Sequence, residues 1–233
     1  MSTQTFAVIG TSGTKEITVS FDLLIAVGFA GRNQAKVREH IEELAEIGVK
    51  PPSKTPMLYV CSTQLVTKEE NIQVIGSGTS GEVEYVIVLH EGEIFIGLGS
   101  DHTDRALEAV GIFKAKQINS KVIAPVLWRY EDVKAHWDKI ELRAWQTKKD
   151  MNGGKEFAYQ DGTLAAILTV EDVLAHVAEE YPGVKNAIFF SGTVPVLDTF
   201  IFGDSFRCEL RDPILGRVIS HEYTVQVLNE GLE

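Results

Sequence analysis

Apolar and polar positions alternate in short bursts between residues 5 and 30: Phe6, Val8 and Ile9, then Ile17 and Val19, then Leu23 to Val27, with glycines between them. A period near two, bounded by turn residues, predicts short β-strands. From Asn33 to Ile47 the period changes. Val37, Ile41 and Leu44 recur at helical spacing, and Gly48 followed by Pro51 and Pro52 ends the predicted helix. The strongest strand signals follow at Val83 to Leu89 and at Ile94 to Leu98, joined by the tight-turn pattern His90-Glu91-Gly92-Glu93. A short helix is expected from Asp104 to Val110, and a turn-rich stretch around Pro125 and Trp128. Residues 132 to 161 are polar, run into Met151-Asn152-Gly153-Gly154, and read as a loop candidate. Thr169 ahead of Glu171 and Asp172 marks the N-cap of a helix reaching Glu180. Strands are expected near Ala187 to Phe190, Ser205 to Leu210 and Val218 to Leu228.

The chain has 233 residues, 44% apolar and 24% charged, which lies in the ordinary globular range and allows a sizeable core. One domain over residues 1–233 is the expectation, with a strand segment at 1–21 and a core at 22–228. Lys and Arg number 22 against 33 Asp and Glu, a net charge of -11, which disfavours nucleic acid and anionic membrane surfaces as partners. The N-terminus lacks the basic and apolar regions of a signal peptide, and no apolar run approaches the roughly 20 residues of a membrane span. Cys61 and Cys208 are too few for a disulfide framework. A cytoplasmic location follows as an expectation.

Candidate chemistry lies on the predicted hairpin. Side chains alternate faces along a strand, so Glu82 and Glu84 point the same way as Val86 and Val88. A turn on Glu91-Gly92 pairs 90 with 93 and, counting back, 84 with 99 and 82 with 101. Asp101 then stands opposite Glu82, with Gly99 opposite Glu84 leaving open space, so three carboxylates converge. Oxygen-only ligation suits Mg2+, Mn2+ or Ca2+ rather than Zn2+. Spacing alone equally allows a solvated edge strand, with Asp101 capping the next helix.

Several motifs, taken in order, resemble the fumarylacetoacetate hydrolase superfamily. They are Gly31-Arg32-Asn33 with His40-Ile41-Glu42-Glu43; Gly81-Glu82-Val83-Glu84 with Ser100-Asp101-His102-Thr103-Asp104-Arg105; Ala115-Lys116-Gln117-Ile118-Asn119 up to Pro125; and Gly192-Thr193-Val194-Pro195 before Gly203-Asp204. The resemblance spans about residues 22 to 228. The chain departs from the family pattern in its longer spacing from Asn33 to His40, in Ser100 where Asn is usual, in Val194 between Gly-Thr and Pro, and in a shorter stretch from Glu84 to Asp101. These departures mark a divergent branch.

The resemblance implies an α+β, mainly β fold, a mixed β-sandwich roll with flanking helices, commonly assembled as a homodimer. It implies Glu82, Glu84 and Asp101 as ligands of Mg2+ or Mn2+, and Lys116 as the active-site lysine. His40 and Glu43 lie three apart and share a helix face, which by itself reads as a surface helix with a boundary histidine; the resemblance implies a dyad in which His40 takes a proton from water while Glu43 orients the imidazole. Arg32, Arg105, Gly192 and Thr193 are expected at the substrate, although Gly192-Thr193 also reads as a turn. The implied activity is hydrolysis of a carbon–carbon bond in a small oxo-acid of the acylpyruvate type. Decarboxylation or tautomerisation on the same metal, and a non-catalytic metal-stabilised binding protein, are the alternatives.

Overall fold

Short apolar segments punctuated by glycine fold here into sixteen strands and five helices among residues 1–11, 13–46 and 51–228, the residues described in this computed structural model; the side chains of residues 40, 43, 44 and 46 lie outside that description. The first part holds β1 (Ser2–Gly10), β2 (Gly13–Phe21), β3 (Leu23–Gly28), α1 (Gln34–Glu46), β4 (Met57–Cys61), β5 (Val66–Thr67), β6 (Asn71–Val74) and β7 (Thr79–Ser80). The middle holds β8 (Val83–His90), β9 (Glu93–Asp101), β10 (Thr103–Asp104), α2 (Arg105–Val110), α3 (Ile112–Ile118), β11 (Lys121–Arg129) and α4 (Tyr130–Val133). The last part holds β12 (Glu141–Thr147), β13 (Phe157–Thr163), α5 (Val170–Glu180), β14 (Ala187–Thr193), β15 (Ser205–Asp212) and β16 (Arg217–Val227). The mainly β α+β class read from the sequence is the one observed.

The larger sheet runs β2-β1-β11-β9-β8-β14-β3-β4, with β5 on β11; the second runs β13-β12-β15-β16-β6. The larger sheet curls. Its concave face gathers Phe6, Val19, Phe21, Leu24, Val86, Val88, Phe95, Ile123, Leu127 and Phe190 into one core. Its convex face packs Val83, Tyr85, Ile87, Leu98 and Trp128 against the second sheet's Leu142, Ala144, Phe206, Leu210 and Tyr223. Two faces, each buried, require strands that are apolar on both sides, which explains the unbroken Tyr85–Leu89 run at the centre of the sheet.

The hairpin has the register read from its turn: His90 pairs with Glu93, Glu84 with Gly99 and Val83 with Ser100, and the Asp101 N–H donates to Glu82 O at 3.0 Å. Glu91 and Gly92 both take positive φ, 53° and 84°, as a two-residue turn matching strand twist requires. Asn33 caps α1, accepting from Ala35 and Lys36 N–H, and Asp104 caps α2, accepting from Leu107 N–H. Thr169 and Asp172 form a capping box on α5.

Three expectations are corrected. The turn-rich stretch at Pro125 and Trp128 is the strand β11, with the register shift between Ile123 and Leu127 accommodating a proline that cannot donate to the ladder. The polar segment at 132–161 holds β12 and β13, whose buried Leu142, Ala144 and Gln146 alternate with outward polar and aromatic residues. The space across Gly99 is not open. A Cβ there would lie 2.6 Å from Phe190 and 2.7 Å from Val122 O, so glycine is what lets β8, β9, β11 and β14 close around the site. Among the described residues no helix is long and apolar enough to cross a membrane.

Candidate metal centre

Strand pairing delivers the acidic side chains. β8 and β9 lie inside the larger sheet, so the solvated-edge alternative does not hold: Glu84 is 3% exposed and Asp101 1%. Glu82, Glu84 and Asp101 each bring one carboxylate oxygen within 4.8 Å of the others, at the end of the concave face. Helices α2 and α3 and strand β11 then supply cations. Lys116 Nζ sits 2.9 Å from Glu82 Oε2, 2.8 Å from Asp101 Oδ2 and 3.7 Å from Glu108 Oε1. Arg105 Nη1 bonds Glu82 Oε1 and Glu108 Oε2, both at 2.9 Å, and its Nε donates to Ser80 Oγ at 2.8 Å. Lys121 Nζ lies 2.6 Å from Asp101 Oδ1.

This distribution divides the carboxylates into two kinds. Burial disfavours the charge on Glu82, but Arg105 and Lys116 outweigh it and hold the carboxyl below its usual range. Asp101 is likewise buried, and Lys116 and Lys121 pull its pKa well down. Burial works against Lys116 too, yet Asp101 and Glu82 raise it well above the usual lysine value, so it stays an ammonium. Glu84 is different. Its Oε2 accepts the Gly192 N–H at 3.0 Å, and it forms no ion pair among the described residues. Burial, with Asp101 and Glu82 beside it, pushes its pKa well up.

A hard divalent cation fits this donor set. The oxygens are all carboxylate, they lie within 4.8 Å of one another, and Glu84, which forms no ion pair among the described residues, feels the charge of the other two. Glu84, Glu82 and Asp101 are the residues that could hold it. Lys116 stands against two of the three carboxylates, those of Glu82 and Asp101, where its ammonium can meet an anionic ligand brought to the centre.

The remaining candidates are distributed unevenly. Arg105 joins the cluster, and its guanidinium also lies over the Phe200 ring, 4.5 Å from the centroid. Gly192 and Thr193 support the site from β14. Between Phe190 and Thr193 the pairing with β8 shifts, and Gly192 takes φ +90° where a Cβ would meet Ala30 at 2.7 Å. That backbone turns its N–H onto Glu84, while Thr193 Oγ1 donates to Val83 O at 2.6 Å. Arg32 is committed elsewhere, to Asp138 at 2.7 Å and to the carbonyls of Leu164 and Ile167. His40 and Glu43 are on α1, but their side chains lie outside the described residues. His102 faces away from the carboxylates, as its strand position implies, bridging Tyr223 and Thr79 at 3.0 and 2.9 Å; burial, with Arg105 and Lys121 nearby, lowers its pKa to about 3, so it is neutral.

Sequence reasoning missed Lys121 and Glu108. A lone lysine near others reads as solvated, and only the pairing of β11 with β9 places Lys121 across from Asp101. The i, i+3 spacing of Arg105 and Glu108 on α2 was a legible signal for the second.

A search of curated proteins finds no match by sequence. Solved structures do match in fold. The protein of "Crystal structures of Cg1458" superposes with TM-score 0.65 at 13% identity, covering 97% of this chain and all 100% of its own. A 2-keto-3-deoxy-D-arabinonate dehydratase, in a structure complexed with magnesium and 2,5-dioxopentanoate, gives TM-score 0.60 at 14% identity over 92% of this chain and 77% of the other. Fumarylacetoacetate hydrolase from psychrophilic Exiguobacterium antarcticum gives TM-score 0.62 at 13% identity over 92% of this chain and 82% of the other. At such identities the likeness is one of fold alone, a fold shared with a fumarylacetoacetate hydrolase, as the ordered motifs implied. The family profile described as "Protein of unknown function (DUF2848)" matches residues 27–223, most of the chain, and this protein therefore belongs to that family.

Proposed function

We propose that this protein is a divalent-cation-dependent enzyme that hydrolyses a carbon–carbon bond in a small oxo-acid of the acylpyruvate type. The observation that carries the reading is the buried convergence of Glu82, Glu84 and Asp101 with the ammonium of Lys116 lying between two of them. Glu82, Glu84 and Asp101 would hold the cation, Mg2+ or Mn2+, which would supply Lewis-acid stabilisation of charge developing on the substrate oxygens. Lys116 Nζ, held charged by its neighbours, donates to a substrate carboxylate or to the developing enolate oxygen. Arg105 anchors Glu82 and so fixes one wall of the site. His40 takes a proton from water, oriented by Glu43; the hydroxyl adds to the carbonyl carbon, the carbon–carbon bond breaks, and the leaving enolate regains the proton.

His40→Ala is expected to lower turnover by roughly 100-fold or more, with folding and cation binding nearly intact. A variant that turns over at the wild-type rate removes His40 from the mechanism. The reaction class is tested by screening oxo-acids with Mg2+ or Mn2+ in labelled water, where hydrolysis places the label in the product carboxylate. A lyase reading draws support from the dehydratase among the structural neighbours. It predicts a product whose new group carries no label, by loss of water or of carbon dioxide.

A further inference from the structure

Lys121 is fully enclosed, at 0% exposure. It projects from the first position of β11, directly across from Asp101 on β9, and β5 pairs with the same residue from the other side. Its Nζ reaches Asp101 Oδ1 at 2.6 Å and Asn119 O at 3.4 Å. Asp101 is its one ion-pair partner among the described residues, whereas Lys116 is shared among Asp101, Glu82 and Glu108.

The two oxygens of Asp101 are therefore not equivalent. Oδ2 meets Lys116 of α3 at 2.8 Å, on the carboxylate that gathers with Glu82 and Glu84. Oδ1 is locked into the sheet by an ammonium walled in on both sides by paired strands. Accepting the cation site of the proposed function, we infer that Lys121 is a positioning residue that confines Asp101 to one-oxygen ligation through Oδ2 and serves as a fixed internal counter-charge. Two effects follow. In the metal-free protein Lys121 offsets the charge of a carboxylate that is otherwise buried beside two others. In the loaded protein the same fixed charge repels the cation and holds its affinity down.

A core lysine with only a packing role has one consequence on removal, a loss of stability that does not depend on cation. The inference predicts a loss that shrinks when the cation binds. Lys121→Met should melt well below wild type without cation, bind Mn2+ about tenfold or more tightly, and gain more thermal stability from saturating Mn2+ than wild type gains. Lys121→Gln, which keeps a neutral donor for Oδ1, separates charge from hydrogen bonding and should also bind Mn2+ more tightly. Calorimetric Mn2+ titrations and melts with and without Mn2+ read both quantities. Equal stability losses with and without Mn2+, or Mn2+ affinity in both variants no tighter than wild type, overturn the inference. So does failure of both variants to fold at any Mn2+ concentration, since that assigns Lys121 to the core alone. If wild type itself binds no Mn2+, the cation reading of the site fails instead, and the two failures are told apart in the same titration.

Discussion

Glu84→Gln is expected to weaken Mn2+ binding by roughly 100-fold or more while leaving the metal-free protein at least as stable as wild type at neutral pH. Losing a direct ligand exceeds the 10–100-fold effect typical of outer-shell changes. Stability moves the other way because Glu84 forms no ion pair among the described residues: burial and the neighbouring Asp101 and Glu82 outweigh the more weakly felt Lys116 and raise its pKa well above the usual carboxylate value. For a group whose folded pKa is raised, the stabilisation is fully present below the unfolded value, about 4.3, and is lost as pH rises through the folded value. Glutamine carries no proton to lose. The metal-free variant should therefore gain on wild type as pH climbs from about 5 toward 8, a comparison that melts across this range make directly. Glu82 and Asp101 behave oppositely. Their depressed values give stability present above the unfolded range near 4 and lost as pH falls. The metal-free wild type should thus be most stable in mild acid.

Lys116→Met is expected to lower turnover by roughly 100- to 1,000-fold, the scale for removing one donor to a developing oxyanion. The variant should still bind Mn2+, and more tightly than wild type, because the ammonium lies on the Glu82 and Asp101 oxygens that the cation would use. Tighter metal with slower turnover is a combination that damaged folding does not produce. Parallel loss of both would make Lys116 a structural residue.

The hairpin was legible because two local features agree: the His90-Glu91-Gly92-Glu93 turn fixes the register, and period-two alternation then assigns each face. That register set the three carboxylates on one face, and the family resemblance favoured a ligand cluster over a solvated edge. The character of the cluster did not. Its cations come from α2, α3 and β11, whose approach depends on non-local pairing that no spacing in the sequence announces. β12 escaped notice because Glu141, Arg143 and Thr147 give its outward face the polarity of a loop, while its inward face includes a glutamine. Pro125 disguised β11 in the same way, since the bulge that tolerates it is a property of the sheet. Arg32 matches a family element, yet its donors hold the segment from Leu164 to Ile167 and Asp138. A motif locates an arginine without fixing where its guanidinium points. Gly192 matched as well, and its N–H serves Glu84.

The central claim is that Glu82, Glu84 and Asp101 form a divalent-cation site completed by deprotonation of Glu84. Calorimetric titration of the wild-type protein with Mn2+ at pH 6 and pH 8 tests it most directly. Binding of one ion per chain, tighter at pH 8 and accompanied by proton release at pH 6, is the expected result. Absence of binding at both values, with no Mn2+-dependent rise in melting temperature, would contradict the metal centre and the enzymatic reading built on it.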